Sequence, residues 1–71
     1  MHNLSVAYRG FSLLPFAAFD AGRYASILVI EDSERRRRST GVLGNFDDAD
    51  TACKYALEFG MSEIDGRLQA N

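Results

Sequence analysis

With 71 residues, a formal charge of −2, 46% hydrophobic and 25% charged residues and one proline, the chain suits one small domain and is too apolar for a disordered segment. No apolar run is longer than that of Ile27 to Ile30, which falls far short of the ~20 residues that cross a bilayer, and "MHNLSVAYRG" lacks the pattern of a secretory signal. A single cysteine, Cys53, excludes an internal disulfide and any cysteine-based metal spacing. These features predict one cytoplasmic domain over residues 1–71 without a membrane span, its core so small that self-association would be a useful source of stability. Residues 1–46 hold six arginines against four acids and residues 47–71 two basic residues against six acids, so the chain is electrically two-ended.

The first segment, "SVAYRGFSLLP", carries valine, tyrosine and phenylalanine and predicts a strand over residues 5–13, stopped at Pro15 because the ring removes a ladder donor. "FAAFDAG" reads as a connection with apolar anchors, closed by Gly22. "RYASILVIED" is the strongest strand signal and predicts a strand over 23–31. "RRSTGVLGNF" predicts a third strand over 38–46, where Gly41 and Gly44 mark a bulge or a close backbone approach. The intervening "DSERR" is then a hairpin tip.

A helix over 48–60 follows. Asp47 is placed to cap it, and Asp48 and Asp50 complement the positive end of its dipole. Ala49, Ala52, Cys53, Ala56 and Leu57 recur at helical spacing, with Tyr55 and Phe59 on the flank. Gly60 fits the left-handed position after the last turn, Met61 the contact that follows it, and Ile64 is expected to tuck back while residues 66–71 fray. The fold class is α+β: three antiparallel strands packed on one C-terminal helix.

On the middle strand, Ala25, Ile27 and Val29 share one face and Tyr24, Ser26, Leu28 and Ile30 the other. Both faces are apolar, whereas a solvent-facing sheet surface alternates with polar residues. Tyr24, Leu28 and Ile30 are therefore the candidate partner-binding residues, on a face covered either by the 14–22 connection, through Leu13, Leu14, Phe16 and Phe19, or by a protein partner or second copy.

The order "YRGF…P…GRYASILVIED…GVLGNFDDADTACKYALEFG…ID" resembles a group of short, uncharacterised bacterial proteins of β-β-β-α type, along residues 8–65. That resemblance implies a fold and no established activity. "YRG", "GRYASILVIED" and "GNFDDADTACKYA" are also similar in architecture to the AP2 DNA-binding domain and related integrase N-terminal domains, whose sheet lies in the major groove. Those domains carry arginines and tryptophans on the outer face; this chain has no tryptophan and would place Tyr24, Ser26, Leu28 and Ile30 there.

The run Arg35, Arg36, Arg37 and Arg38 suggests a grip on nucleic-acid phosphates or an acidic partner. Against this, Glu31, Asp32 and Glu34 nearly cancel it, which is how a solvated hairpin stays soluble. A third reading pairs the tip with the acidic helix of a neighbouring copy. No catalytic set emerges. His2 lies beside the initiator methionine, and Asp47, Asp48 and Asp50 lack calcium-loop spacing. Cys53 sits on the inward stripe, and the glycines of "TGVLGN" lack the rest of a phosphate or dinucleotide fingerprint. The sequence thus predicts a non-enzymatic interaction module without cofactor or metal, binding a partner or itself through the sheet. Nucleic-acid binding through the sheet and the Arg35–Arg38 hairpin is the alternative.

Overall fold

The computed structural model describes residues 5–69. Four strands, β1 (Val6–Tyr8), β2 (Phe11–Asp20), β3 (Arg23–Glu31) and β4 (Arg37–Phe46), precede one helix, α1 (Ala49–Gln69). The strands form one antiparallel sheet in the order β1-β2-β3-β4, with α1 packed on one side. The class is α+β as expected, but the sheet has four strands and not three.

Two tight turns explain the difference. Arg9 and Gly10 have φ of 51° and 87°, and Ala21 and Gly22 have 51° and 83°. Positive φ at both central residues is the two-residue hairpin geometry that matches strand twist. "YRGF" is therefore a hairpin joining β1 to β2, with Tyr8 paired to Phe11, and "FAAFDAG" is strand and turn rather than a connection.

Pro15 does not end the strand. It pairs with Leu28 across β2 and β3, and the Leu28 N–H points the other way, donating to Thr40 Oγ1 on β4 at 3.2 Å. Facing residues in an antiparallel ladder either exchange bonds or both turn away. The Pro15 nitrogen accordingly faces the β1 side, beyond Leu13, the last β2 residue that β1 pairs with among the described residues, so no described ladder bond is lost there.

Between β3 and β4 the register shifts at Ser26/Ile27 and again at Ile27/Val29. Gly41, with φ of 77°, lies in the second of these bulges, the irregularity that "TGVLG" predicts.

The helix runs nine residues past Gly60, through Gln69. Gly60 is a buried helical residue and not a left-handed cap, because a glycine is what lets the helix cross directly over Leu28 and Leu13. Ala52, Ala56, Gly60 and Ile64 recur every fourth position along this contact, and all are buried. The core proper is Leu13, Leu28, Ile30, Ala56 and Ile64, with Val6, Tyr8, Phe11, Leu43, Leu57, Phe59 and Met61 around it.

Polar ties fix both ends of α1. Ser26 Oγ, fully buried, donates to the Ala52 carbonyl at 2.7 Å. Tyr8 donates from its hydroxyl to the Asp65 carboxylate at 2.8 and 2.9 Å, and Arg9 pairs with the same carboxylate at 3.2 Å. These contacts explain why residues 66–69 are helical rather than frayed; residues 70 and 71, like His2, lie outside the described residues. The cap is Asp48, whose carboxylate accepts from the Thr51 N–H at 2.9 Å, while Asp47 pairs with Arg23 at 3.5 Å.

Candidate protein-docking face

Strand alternation and the pairing register sort every sheet residue onto one of two faces. The inner face, under α1, carries Leu13, Pro15, Tyr24, Ser26, Leu28, Ile30 and Leu43. This corrects the placement of the candidate residues: Leu28 is 0% and Ile30 8% exposed beneath the helix, and Tyr24 is half-buried with its ring 5.0 Å from that of Phe19. Leu28 and Ile30 are therefore not available to a partner, whereas Tyr24 keeps part of its surface exposed. The reason lies in the helix: a stripe of alanines and a glycine fills little volume, so it takes the sheet face bearing the larger side chains.

The outer face carries Leu14, Phe16 and Ala18 on β2, Ala25, Ile27 and Val29 on β3, and Val42 on β4. Val42 is 61% exposed, while Leu14, Phe16, Ile27 and Val29 are half-buried only by one another and their neighbours in the sheet. The 14–22 segment cannot cover this face because it forms β2 and its turn. No described residue outside the sheet packs on it: the Cα envelope measures 41 × 23 × 16 Å, the thickness of one sheet and one helix. Charge stands only at the margin, with Asp20 and Arg23 at one end and Glu31 and Arg37 at the other.

The arginine run forms the tip between β3 and β4, and Asp32 builds it. One carboxylate oxygen of Asp32 accepts from the N–H groups of Glu34 and Arg36, each at 2.9 Å, and the Asp32 carbonyl accepts from Arg35 N–H at 3.0 Å. The Arg36 N–H above all holds the Asp32 carboxyl below its ordinary pKa of 3.8, against an opposing desolvation effect, with the Glu34 N–H and then the Arg36 charge assisting. Arg36 pairs with Asp32 and Glu34, and Arg37 with Glu31 at 3.1 Å. Arg35 and Arg38 have no acidic partner among the described residues.

Arg67, on the last turns of α1, joins Arg36, Arg37 and Arg38 around an open cleft of about 420 Å³ that also borders Phe11, Ile30 and Asp32. Sequence reasoning missed this neighbour, since only the extension of the helix past Gly60 carries Arg67 there.

Cys53 is half-buried, and its thiol is pushed above its ordinary value by desolvation and by the Asp50 carboxylate, which opposes thiolate formation. Among the described residues no group of three or more histidine, cysteine and carboxylate side chains could hold a metal ion, and no helix is long and apolar enough to cross a membrane. No family model, curated protein or solved structure matches the chain.

Proposed function

We propose that this chain is a small non-enzymatic docking module that binds protein through the outer face of its sheet. The observation that carries the reading is the unbroken apolar surface of Leu14, Phe16, Ile27, Val29 and Val42 on the side away from the helix. Antiparallel sheets with one solvated face alternate apolar and polar residues. Here the alternation is absent over the middle of two neighbouring strands, and a contiguous apolar surface of this kind marks an interaction site.

The test is to place a charge on the face without touching the core. In dilute solution, Ile27→Asp and Val42→Asp should keep the far-UV circular dichroism of the parent. The parent should bind the apolar dye ANS and the variants should not. Unfolding of both variants at dilution would mean that the face belongs to the core and would remove the reading.

Nucleic-acid binding through the sheet and Arg35–Arg38 has less support. The outer face offers no arginine over its centre and few groups that reach base edges or phosphates, and two of the four arginines are held by acids. The resemblance to AP2-type domains therefore supports a shared layout of sheet and helix more than a shared DNA-reading surface.

A further inference from the structure

We propose that the occupant of the outer face is a second copy of this chain, stacked sheet on sheet with the two β3 strands antiparallel across a two-fold axis at Ile27. The inference rests on the docking-module reading and adds the identity and orientation of the partner.

The face is self-complementary in one orientation. Two facing sheets related by a two-fold axis in the plane between them can be arranged with the axis across the strands or along them. An axis across the strands at Ile27 lays β3 over the partner copy's β3 in reverse. Arg23 then stands over Glu31 of the partner copy, and Glu31 over its Arg23. An axis along the strands sets Arg23 on Arg23 and Glu31 on Glu31, a like-charge arrangement that costs several kcal/mol.

Volume selects the same orientation. Reversed stacking sets Val29 over Ala25 on β3 and Leu14 over Ala18 on β2, a large side chain meeting a small one at each position, with Phe16 and Ile27 at the centre. Sheets ~10 Å apart interdigitate in this way, and an offset of about −30° between them is within reach of an arginine arm. The other orientation sets Val29 on Val29 and Leu14 over Ser39, which neither fills nor alternates.

Size and stability bear on the strength of the dimer. From Ser12 to Asp20 on β2 the face is ~26 Å long and three strands wide, a projected area of roughly 400 Å² per copy before side-chain relief. The two copies together contribute roughly 800 Å², below the ~1,200 Å² of standard specific interfaces, so the dimer is expected to be weak. A chain whose seven buried apolar residues, among the described ones, include three alanines has reason to recruit a third and fourth layer from a second copy.

The experiment is sedimentation equilibrium of the full chain, from micromolar to millimolar concentration, on the parent and on Ile27→Asp, Arg23→Glu, Glu31→Arg and the Arg23→Glu/Glu31→Arg pair. The expected result is a parental dimer, its loss in Ile27→Asp, about tenfold or greater weakening in each single charge swap, and recovery in the pair. Recovery is specific to the intermolecular contact, because the pair leaves Asp47 and Arg37 facing like charges within the chain. A dimer that both single swaps leave intact, or that the pair fails to restore, overturns the stacking. A monomer at every concentration overturns the second copy. ANS then separates the two readings: dye bound by the monomer and lost in Ile27→Asp leaves the docking face standing, and no dye binding removes it as well. A dimer indifferent to Ile27→Asp removes both.

Discussion

A methyl group placed on Gly60 would lie 2.6 Å from Leu28 Cδ2, with Leu13 Cδ2 at 3.2 Å. Helix and sheet touch through that missing side chain. Alanine is the better helix former by about 1 kcal/mol, so at a merely helical position Gly60→Ala would stabilise. Here both neighbours are fully buried leucines with nowhere to retreat, and overpacking typically costs 1–3 kcal/mol. Gly60→Ala is expected to lower the melting temperature by roughly 4–8 °C per kcal/mol of net loss. Thermal denaturation of the variant checks it, and a raised midpoint would show that the contact is loose.

The β2–β3 turn holds Ala21 at φ 51°, beside Gly22. A left-handed conformation costs a residue with a Cβ about 1–2 kcal/mol, less for asparagine, which also leads at this turn position. Ala21→Asn should therefore stabilise the chain, by some fraction of the roughly 1–2 kcal/mol that the left-handed conformation costs alanine. Urea unfolding should show a higher midpoint with an unchanged slope; no gain would mean that the turn is not strained at Ala21.

Much of this architecture was legible in residues 23–60. β3 announces itself in "RYASILVIE", the bulges in "TGVLG", and the helix in its apolar spacing with an aspartate in front. The differences between expectation and structure share one cause: local chemistry in the sequence does not carry the neighbours that pairing and packing supply. Proline in a strand is forbidden only where its nitrogen faces a partner strand, and the orientation at Pro15 depends on pairing with Leu28. Glycine late in a helix caps it only if nothing presses on it, whereas Gly60 answers to Leu28. The two apolar faces of β3 are visible in the sequence, but which one takes the helix depends on the volume of the opposing stripe. That assignment carried Tyr24, Leu28 and Ile30 from the partner side to the core side. The outer face is half legible in the sequence: Ile27 and Val29 share one apolar face of β3, but the partner-binding expectation falls on the opposite face, and Leu14 and Phe16 read as part of a connection.

Acid should weaken the fold through two carboxylates. The Thr51 N–H, then its hydroxyl, hold the Asp48 carboxyl below the ordinary 3.8 against slight desolvation, as the Arg36 N–H does for Asp32. A carboxyl depressed in the folded state binds protons more weakly there than in the unfolded chain. Its contribution is complete above the ordinary carboxylate range and is lost as pH falls through 3.8 and below. Asp48→Asn keeps an oxygen to accept from Thr51 but cannot titrate. Its melting temperature should decline less steeply than the parent's between about pH 5 and pH 2.5; parallel curves would assign the acid limb elsewhere.

The arginine run can be weighed by salt. Each phosphate contact adds about −0.9 to the slope of log K against log salt for duplex DNA. If the acids retain Arg36 and Arg37, only Arg35, Arg38 and Arg67 are free to meet phosphate, and the slope should be about −3 or shallower, on weak binding with no sequence preference. If all five arginines engage, the slope approaches about −4.5, and the ion pairs must break first. Fluorescence titration of a labelled duplex from low to physiological salt separates the cases, with Arg35→Ser/Arg38→Ser as the informative variant. It should abolish most of the residual affinity, because it removes charge that no intramolecular carboxylate is using, whereas Arg36→Ser/Arg37→Ser should change little. The reverse ranking would mean that Glu31, Asp32 and Glu34 release their arginines to the ligand, and the hairpin would be a phosphate-binding tip rather than a solvated turn.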